Sequence, residues 1–252
     1  MKGQIYHILN GDSLAYSFLQ TEIVGTIVVF REGLIEGNLT GENLPEFWQT
    51  RAAFTGVTEI EYYNKVVKEL NKLMDAPDNS EFNLWFEYDL FCKVNMWFVC
   101  SILQRLPITK KVYAAYTSYL NRNNEHFWNG FGRATASDLH LCFQNRILLQ
   151  EEDIKKAQEL WTSYKNSNTE KLIRLSRSSS AFPYLQEVIA AHIERFPNNG
   201  MHGRPEKTLR HIIDTITTDF HTVCNEFWSR DSIYGFGDTQ IKHLYDKIIQ
   251  ER

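Results

Sequence analysis

The sequence predicts an α/β protein, in which a mostly parallel, three-layer (Rossmann-like) sheet domain is followed by an all-α helical domain. Two observations support this fold class. Up to residue 127, short apolar runs of strand length alternate with segments of helical periodicity, which is typical of a parallel sheet covered by helices. From residue 128 onward, only helical periodicity is visible. We therefore expect a sheet domain over residues 1–127 and a helical domain over residues 128–252.

The composition is that of a globular protein with a large core. Of its 252 residues, 43% are hydrophobic and 23% are charged, which excludes a disordered, collagen-like or membrane-spanning chain. The net charge is −4, and neither half contains more basic than acidic residues. Proteins that bind nucleic acid draw much of their affinity from Lys and Arg, so a nucleic-acid partner is not expected.

Four apolar runs, each about as long as a buried strand, are the predicted strands: residues 4–9, 26–30, 82–86 and 111–115. Between the second and third runs, apolar residues from Ile60 to Met74 recur at helical spacing. After the third run, Asp89 is the predicted N-cap of a helix that ends before Pro107. Strands and helices thus alternate in the way that a parallel sheet requires.

The second half consists of predicted helices separated by turn residues. Apolar stripes at helical spacing run through residues 154–164, 185–196, 209–216, 220–227 and 241–248. Proline residues and a Gly-Phe-Gly segment at residues 235–237 interrupt these stripes. A second Gly-Phe-Gly, at residues 130–132, follows the predicted domain junction, where we expect a tight turn that docks its phenylalanine.

Polar residues follow three of the predicted strands and form the candidate site. They are Asn10, Gly11, Asp12 and Ser13 after the first strand, Arg31 and Glu32 after the second, and Glu87 and Asp89 after the third. Because the carboxyl ends of parallel strands meet at one edge of the sheet, we expect these residues to converge on a ligand. Arg31 could hold a carboxylate or phosphate, beside the N-terminus of the helix after Gly11. The predicted ligand is a small anionic or nucleotide-like molecule.

The same residues have structural interpretations that the sequence leaves open. Asp12 or Ser13 could cap a helix, as Asp89 could cap the next one. Arg31 could form a surface ion pair, or an internal pair with Glu87 or Asp89. The sequence contains neither a GxGxxG segment after the first strand nor a GxxxxGK[ST] segment anywhere, so it carries no phosphate-binding fingerprint.

Three further residues are secondary candidates. His7 lies within the first strand, where a buried, hydrogen-bonded role competes with ligand binding. Asn95 is a polar residue in the apolar helix after Asp89, and it needs a hydrogen-bond partner if it faces the sheet. Arg133 follows the junction turn, where it could reach a ligand or belong to a hinge.

Two other functions are open on the sequence. Residues 11–14, Gly-Asp-Ser-Leu, match the nucleophile motif of the GDSL hydrolases, with Ser13 as the nucleophile. Such enzymes need a base histidine, usually in a late Asp-x-x-His motif, whereas His140 and His221 stand in Asp-x-His segments. The other function is that of a regulatory or interaction protein that acts through its helical domain.

The sequence predicts no metal site and no membrane segment, and it identifies no cofactor. Its four cysteines form no CxxC pair, so we expect buried, reduced thiols. The most apolar stretch, residues 84–103, is interrupted by charged and amide side chains. The first residues lack the apolar region of a secretory signal, so a cytoplasmic location is expected.

Several segments together resemble a bacterial family known as domain of unknown function 1835. They are HILNGDSL at residues 7–14, FREGLIEG at residues 30–37, LWFEYDLFC at residues 84–92, WNGFG at residues 128–132 and YGFGD at residues 234–238. The last two segments look like those of longer members of the family. The resemblance spans most of the chain. The family has no established activity, so the resemblance implies no catalytic or binding residues.

Overall fold

The structure, a computed structural model, describes residues 3–117, 130–178 and 181–252. Five strands lie within these residues: β1 (Ile5–Asn10), β2 (Thr26–Phe30), β3 (Ser80–Trp85), β4 (Lys110–Ala115) and β5 (Ile147–Leu149). They form one sheet in the order β2-β1-β3-β4-β5. The first four strands are parallel, and β5 is antiparallel to β4. The predicted α/β class and the mostly parallel sheet are therefore confirmed.

Helices connect the strands and form most of the second half. Up to β5 they are α1 (Asp12–Phe18), α2 (Leu44–Thr55), α3 (Glu59–Tyr62), a π-helical turn (Tyr63–Val67), α4 (Lys68–Met74), α5 (Leu90–Arg105) and α6 (Ala136–Gln144). After β5 they are α7 (Glu151–Lys165), α8 (Thr169–Ser176), α9 (Leu185–Glu194), α10 (Arg204–Thr215), α11 (Phe220–Asp231), a 3-10 turn (Ser232–Tyr234) and α12 (Asp238–Gln250).

The sheet is covered on both faces, which gives the predicted three layers. On one face, residues of α1 and α6 enclose Trp85, whose ring centroid lies 5.0 Å from that of Phe18. On the other face, alternate strand residues such as Ile8 and Leu84 pack against α2, α4 and α5. This alternation follows from the two-residue period of a strand. The second core continues into the helical half, where Trp161 of α7 packs 5.0 Å from Phe98 of α5.

One element differs from the expectation that no strand follows residue 128. Residues Ile147–Leu149 pair with the edge of β4, with Leu149 opposite Val112 and Ile147 opposite Ala114. Periodicity does not reveal a run of three residues, and it is the pairing partner that makes this segment a strand. The first helix after residue 128, α6, also covers the sheet rather than the helical bundle. The predicted boundary between residues 127 and 128 lies outside the described residues.

Candidate functional site

The topological switch point of the sheet lies between β1 and β3. The chain passes from β1 to β2 on one side and then crosses back to β3 and β4 on the other. Ligands of open parallel sheets bind outside the carboxyl ends of the strands at such a point. Asn10 ends β1 here, and Glu87 and Asp89 follow β3, so three predicted site residues meet at this edge.

Five side chains form a hydrogen-bonded group at this point, which we call the switch-point cluster: Asn10, Glu87, Asp89, Cys92 and Asn95. Nδ2 of Asn10 donates to Sγ of Cys92 (3.0 Å), and the Cys92 thiol donates to Oε2 of Glu87 (2.8 Å). Nδ2 of Asn95 donates to Oδ1 of Asn10 (3.0 Å). Oδ1 of Asp89 accepts from the backbone N–H of Cys92 (2.9 Å), which confirms Asp89 as the N-cap of α5.

Two glycine turns close over the carboxylates of this cluster. Gly130 has a φ of +58°, and a Cβ built on it would lie 2.1 Å from Oε1 of Glu87. The next backbone N–H, of Phe131, donates to the same oxygen (2.6 Å). Gly235 has a φ of +63°, and its Cβ would lie 2.0 Å from Oδ1 of Asp89. Both Gly-Phe-Gly segments therefore need their first glycine for backbone conformation and for close approach.

Burial and nearby negative charge raise the pKa values of Asp89 and Cys92 in the cluster. Burial, followed by the charge of Glu87, raises the pKa of Asp89 to about 7. Burial also raises the pKa of Cys92 well above its ordinary value, and the charges of Asp89 and Glu87 add to this effect. Ligand atoms of Glu87, Asp89 and Cys92 lie within 4.8 Å of one another, a spacing that a metal ion could use. Metal binding would require the Cys92 thiolate, which this environment opposes.

Lys93 is a fully buried amine beside the cluster that the sequence analysis did not select. Its Nζ lies 4.5, 5.4 and 5.9 Å from the ring centroids of Tyr116, Tyr88 and Phe182, so three aromatic faces surround the amine. Burial lowers the pKa of Lys93 to about 7, although the negative charge of Asp89 acts in the opposite direction. A lysine within the apolar run 84–103 was the available signal for a buried, perturbed amine.

Arg31 and Asp12 pair with each other and do not take part in the hydrogen bonds of the cluster. Nε of Arg31 donates to both carboxylate oxygens of Asp12, at 2.8 and 3.0 Å. The hydrogen bond from Arg31 to Asp12 is the largest cause of a raised Arg31 pKa. The side chains are 32% and 70% exposed, so this is the surface ion pair, and the internal pair with Glu87 or Asp89 is not formed. The charge of Arg31 is therefore compensated on the protein itself.

The N-terminus of α1 differs from the expected anion cradle. Gly11, with a φ of +93°, occupies the N-cap position and supplies no side-chain cap, so the prediction that Asp12 or Ser13 caps the helix is wrong. Asp12 places a carboxylate in the first turn of a seven-residue helix, where it would repel an anion. Ser13 is exposed, and within the described residues no histidine donates to it or accepts from it.

Glu32 turns into the core and binds Arg51, which the sequence analysis missed. Nε and Nη2 of Arg51 donate to Oε2 of Glu32, at 3.1 and 2.7 Å, and the Tyr62 hydroxyl donates to Oε1. All three side chains are buried. Burial is the largest cause of a raised Tyr62 pKa, so the phenol remains a donor. Nη1 of Arg51 also donates to the carbonyl oxygen of Glu36 (2.7 Å), which ties the loop after β2 to α2.

The secondary candidates have separate places in the fold. His7 is buried, and its Nδ1 accepts a hydrogen bond from Nε1 of Trp85 (3.2 Å). Its Nε2 lies 3.2 Å from the carbonyl oxygen of Val24. Burial lowers the pKa of His7, which fits its structural interpretation. Asn95 finds the partners that it needs, since it also accepts from the N–H of Leu34 (3.2 Å). Arg133 is exposed on the turn before α6.

A cleft of about 700 Å³ lies on the carboxyl side of the sheet, between the loop that follows β2 and the helical half. Its loop wall consists of residues 35–40. Its helical wall consists of four parts: the C-terminal end of α7, the C-terminal end of α9, the N-terminal turn of α10 and the middle of α12. The exposed ring of Phe54 and the rings of Phe196 and Phe236 also line it. This cleft was not predicted from the sequence, because most of its wall belongs to the second half of the chain.

Lys165 and Arg195 bring positive charge to this cleft without forming an ion pair among the described residues. Nζ of Lys165 donates to the carbonyl oxygen of Gly41. Nη1 of Arg195 donates to the carbonyl oxygen of Ile35 (2.7 Å), and Nη2 donates to the hydroxyl of Tyr164 (3.3 Å). Within the described residues, neither cation has a carboxylate oxygen within 4 Å. Within the described residues, the hydrogen bonds of both side chains go only to uncharged oxygen atoms of the protein.

The cleft also contains two carboxylates, Glu36 and Glu206, and further basic residues near them. Lys247 binds Glu206 (3.0 Å), and Nδ1 of His243 lies 3.9 Å from Oε1 of Glu36. His192 of α9 is only 6% exposed, and burial lowers its pKa to about 3, so its imidazole is neutral. A histidine within an apolar helical stripe was the only sequence signal for this position.

Comparisons with protein-family models, with curated proteins and with solved structures found no match to this chain. The resemblance to domain of unknown function 1835 therefore stays a prediction. In the ranges that the structure describes, no helix has both the length and the apolar character needed to cross a membrane.

Proposed function

We propose that this protein binds a small anionic or nucleotide-like molecule in the cleft on the carboxyl side of its sheet. One observation carries the proposal: Lys165 and Arg195 line the cleft without a carboxylate partner in the described part of the chain. A cation that donates only to neutral oxygens gains a charge–charge attraction when an anion replaces one of them, in addition to the hydrogen bond itself. The cleft lies on the carboxyl side of the sheet, which is where the sequence predicts a small anionic or nucleotide-like ligand.

The shape and lining of the cleft favour an anion that carries a ring. Its volume of about 700 Å³ falls within the range of small-molecule sites. Phe54, Phe196 and Phe236 supply flat apolar surface beside the two cations. Arg31, which the sequence predicts as the anion-binding residue, already has its charge balanced by Asp12. The two cations that form no ion pair among the described residues therefore favour the cleft over the end of β2.

The test is the thermal stability of the protein with inorganic phosphate, adenosine monophosphate and adenosine. We expect adenosine monophosphate to raise the melting temperature most, and the neutral nucleoside least. At a ligand concentration one hundred times Kd, the expected shift for a chain of this size is roughly 5–10 °C. Lys165→Met and Arg195→Met should reduce the shift, measured from the melting temperature of each unliganded variant.

Two matched controls locate the site. Lys155→Met removes an exposed lysine from the same helix as Lys165, and Arg31→Met removes the arginine that pairs with Asp12. Both should keep the full shift. If no anion of the panel stabilises the wild type, the proposed function is wrong. If Arg31→Met loses the shift while Arg195→Met keeps it, the ligand binds at the ends of β1 and β2 instead.

A further inference from the structure

His192 has two ring nitrogens without a hydrogen-bond partner among the described residues. More than nine-tenths of the residue is buried. Its Nδ1 is shielded from solvent and has no hydrogen-bond partner. Nε2 makes no hydrogen bond within the described residues either, and it is not among the shielded unpartnered atoms, so it keeps some contact with solvent. His192 lines the cleft, so we place Nε2 toward it. Tyr164 and Phe196 hold the ring, at centroid distances of 4.6 and 5.3 Å. Buried polar side chains are rarely left unpaired, so this histidine requires an explanation.

The ring position fixes which nitrogen carries the proton. The imidazole is neutral, because burial and the adjacent charge of Arg195 both lower its pKa. A neutral ring has one N–H and one lone pair. Among backbone groups, an orphaned buried N–H is rarer than an under-satisfied buried acceptor, and we apply the same preference to the imidazole. The proton therefore belongs on Nε2, where solvent can accept its hydrogen bond, and the lone pair remains on the shielded Nδ1.

We infer that His192 is a ligand-binding residue of the cleft, and that its Nε2–H donates to an oxyanion that also binds the guanidinium of Arg195. The inference rests on the proposed function, since it requires an anion in this cleft. His192 and Arg195 are three positions apart at the end of α9, so they face the same side of the helix. The ligand class follows from this geometry: a phosphate monoester or carboxylate, whose separate oxygens can meet the two groups.

The experiment compares two substitutions of equal length in the full chain. His192→Gln places an amide N–H near the position of Nε2, whereas His192→Met removes the donor and keeps a side chain of similar reach. Titration calorimetry with inorganic phosphate and adenosine monophosphate then measures affinity. We expect His192→Gln to bind close to wild type. We expect His192→Met to bind about ten- to hundredfold more weakly, the range for a hydrogen bond to a charged group.

A second measurement on the wild type needs no variant. Imidazole nitrogen NMR should show the Nε2–H tautomer of His192 in the free protein and a change at Nε2 when phosphate is added. If either substitution prevents folding, this measurement decides alone, and a proton on Nδ1 or an unmoved Nε2 signal overturns the inference.

The outcomes separate the two claims. If His192→Met binds phosphate as the wild type does while Arg195→Met binds poorly, the role of His192 is wrong and the proposed function stands. If the wild type binds neither phosphate nor adenosine monophosphate, the proposed function is wrong and the inference falls with it.

Discussion

Replacing Gly235 with alanine should press a methyl group against the carboxylate of Asp89, whereas the same change at Gly56 should not. Both glycines have a left-handed backbone, with φ values of +63° and +70°. A Cβ on Gly235 would lie 2.0 Å from Oδ1 of Asp89, whereas a Cβ on Gly56 would have no atom within 4 Å. The pair of substitutions therefore separates the strain of the backbone from the contact with the switch-point cluster.

The expected magnitudes follow from these contacts. A left-handed alanine costs about 1–2 kcal/mol at either position. At Gly235, overpacking adds about 1–3 kcal/mol. Displacement of Asp89 from the N-cap of α5 adds about 1 kcal/mol more. We therefore expect a loss of about 3–6 kcal/mol in the free energy of unfolding for Gly235→Ala, against about 1–2 kcal/mol for Gly56→Ala.

The assay is urea unfolding, with an unchanged slope m as the sign that only stability has changed. A double-mutant cycle adds Asp89→Ala, which removes the atom that the new methyl group meets. The coupling energy of Gly235→Ala with Asp89→Ala should then be about 2–4 kcal/mol, because both the overpacking and the loss of the cap depend on Asp89, whereas Gly56→Ala should be additive with it. Equal losses for the two glycine substitutions, or no coupling at Gly235, would refute this account of the turn.

Three further predictions concern the charged groups and Ser13. Arg51→Met leaves Glu32 buried without its cation and should lower the free energy of unfolding, measured in urea, by about 3–5 kcal/mol. Arg31→Met breaks only an exposed pair and should lower it by about 0–1 kcal/mol. Similar losses for the two variants would contradict the difference in burial between the two ion pairs. The pKa of Asp89 is raised in the folded state, so its stabilising effect is complete below pH 4 and is lost as the pH rises toward 7. Asp89→Asn, which retains a capping oxygen, should flatten this part of the stability profile, and an unchanged profile would show that Asp89 is ionised when folded. Ser13→Ala should leave the turnover of short-chain esters unchanged, and a robust wild-type activity that the substitution abolishes would establish Ser13 as a nucleophile.

Features that depend on local chemistry can be read from the sequence alone. The four parallel strands appear in it as apolar runs, because strands buried on both faces need side chains that tolerate burial on both sides. Asp89 is recognisable as an N-cap, since its acceptor reaches an N–H only three residues away. The same local logic failed at Gly11, because a glycine with positive φ started the helix one residue earlier than the acidic cap that the residue types suggested.

Which polar groups meet depends on contacts between residues that are distant in sequence. Arg31 and Glu32 are adjacent in sequence, yet they point apart, one to the surface pair with Asp12 and the other into the core toward Arg51. A three-residue strand such as β5 exists only because β4 offers it an edge. Periodicity records how much of each side chain is buried, but it carries no information about the distant residue that covers it. Lys165 lies more than 120 positions from the loop carbonyl that it binds, so no local pattern could place its charge beside the sheet.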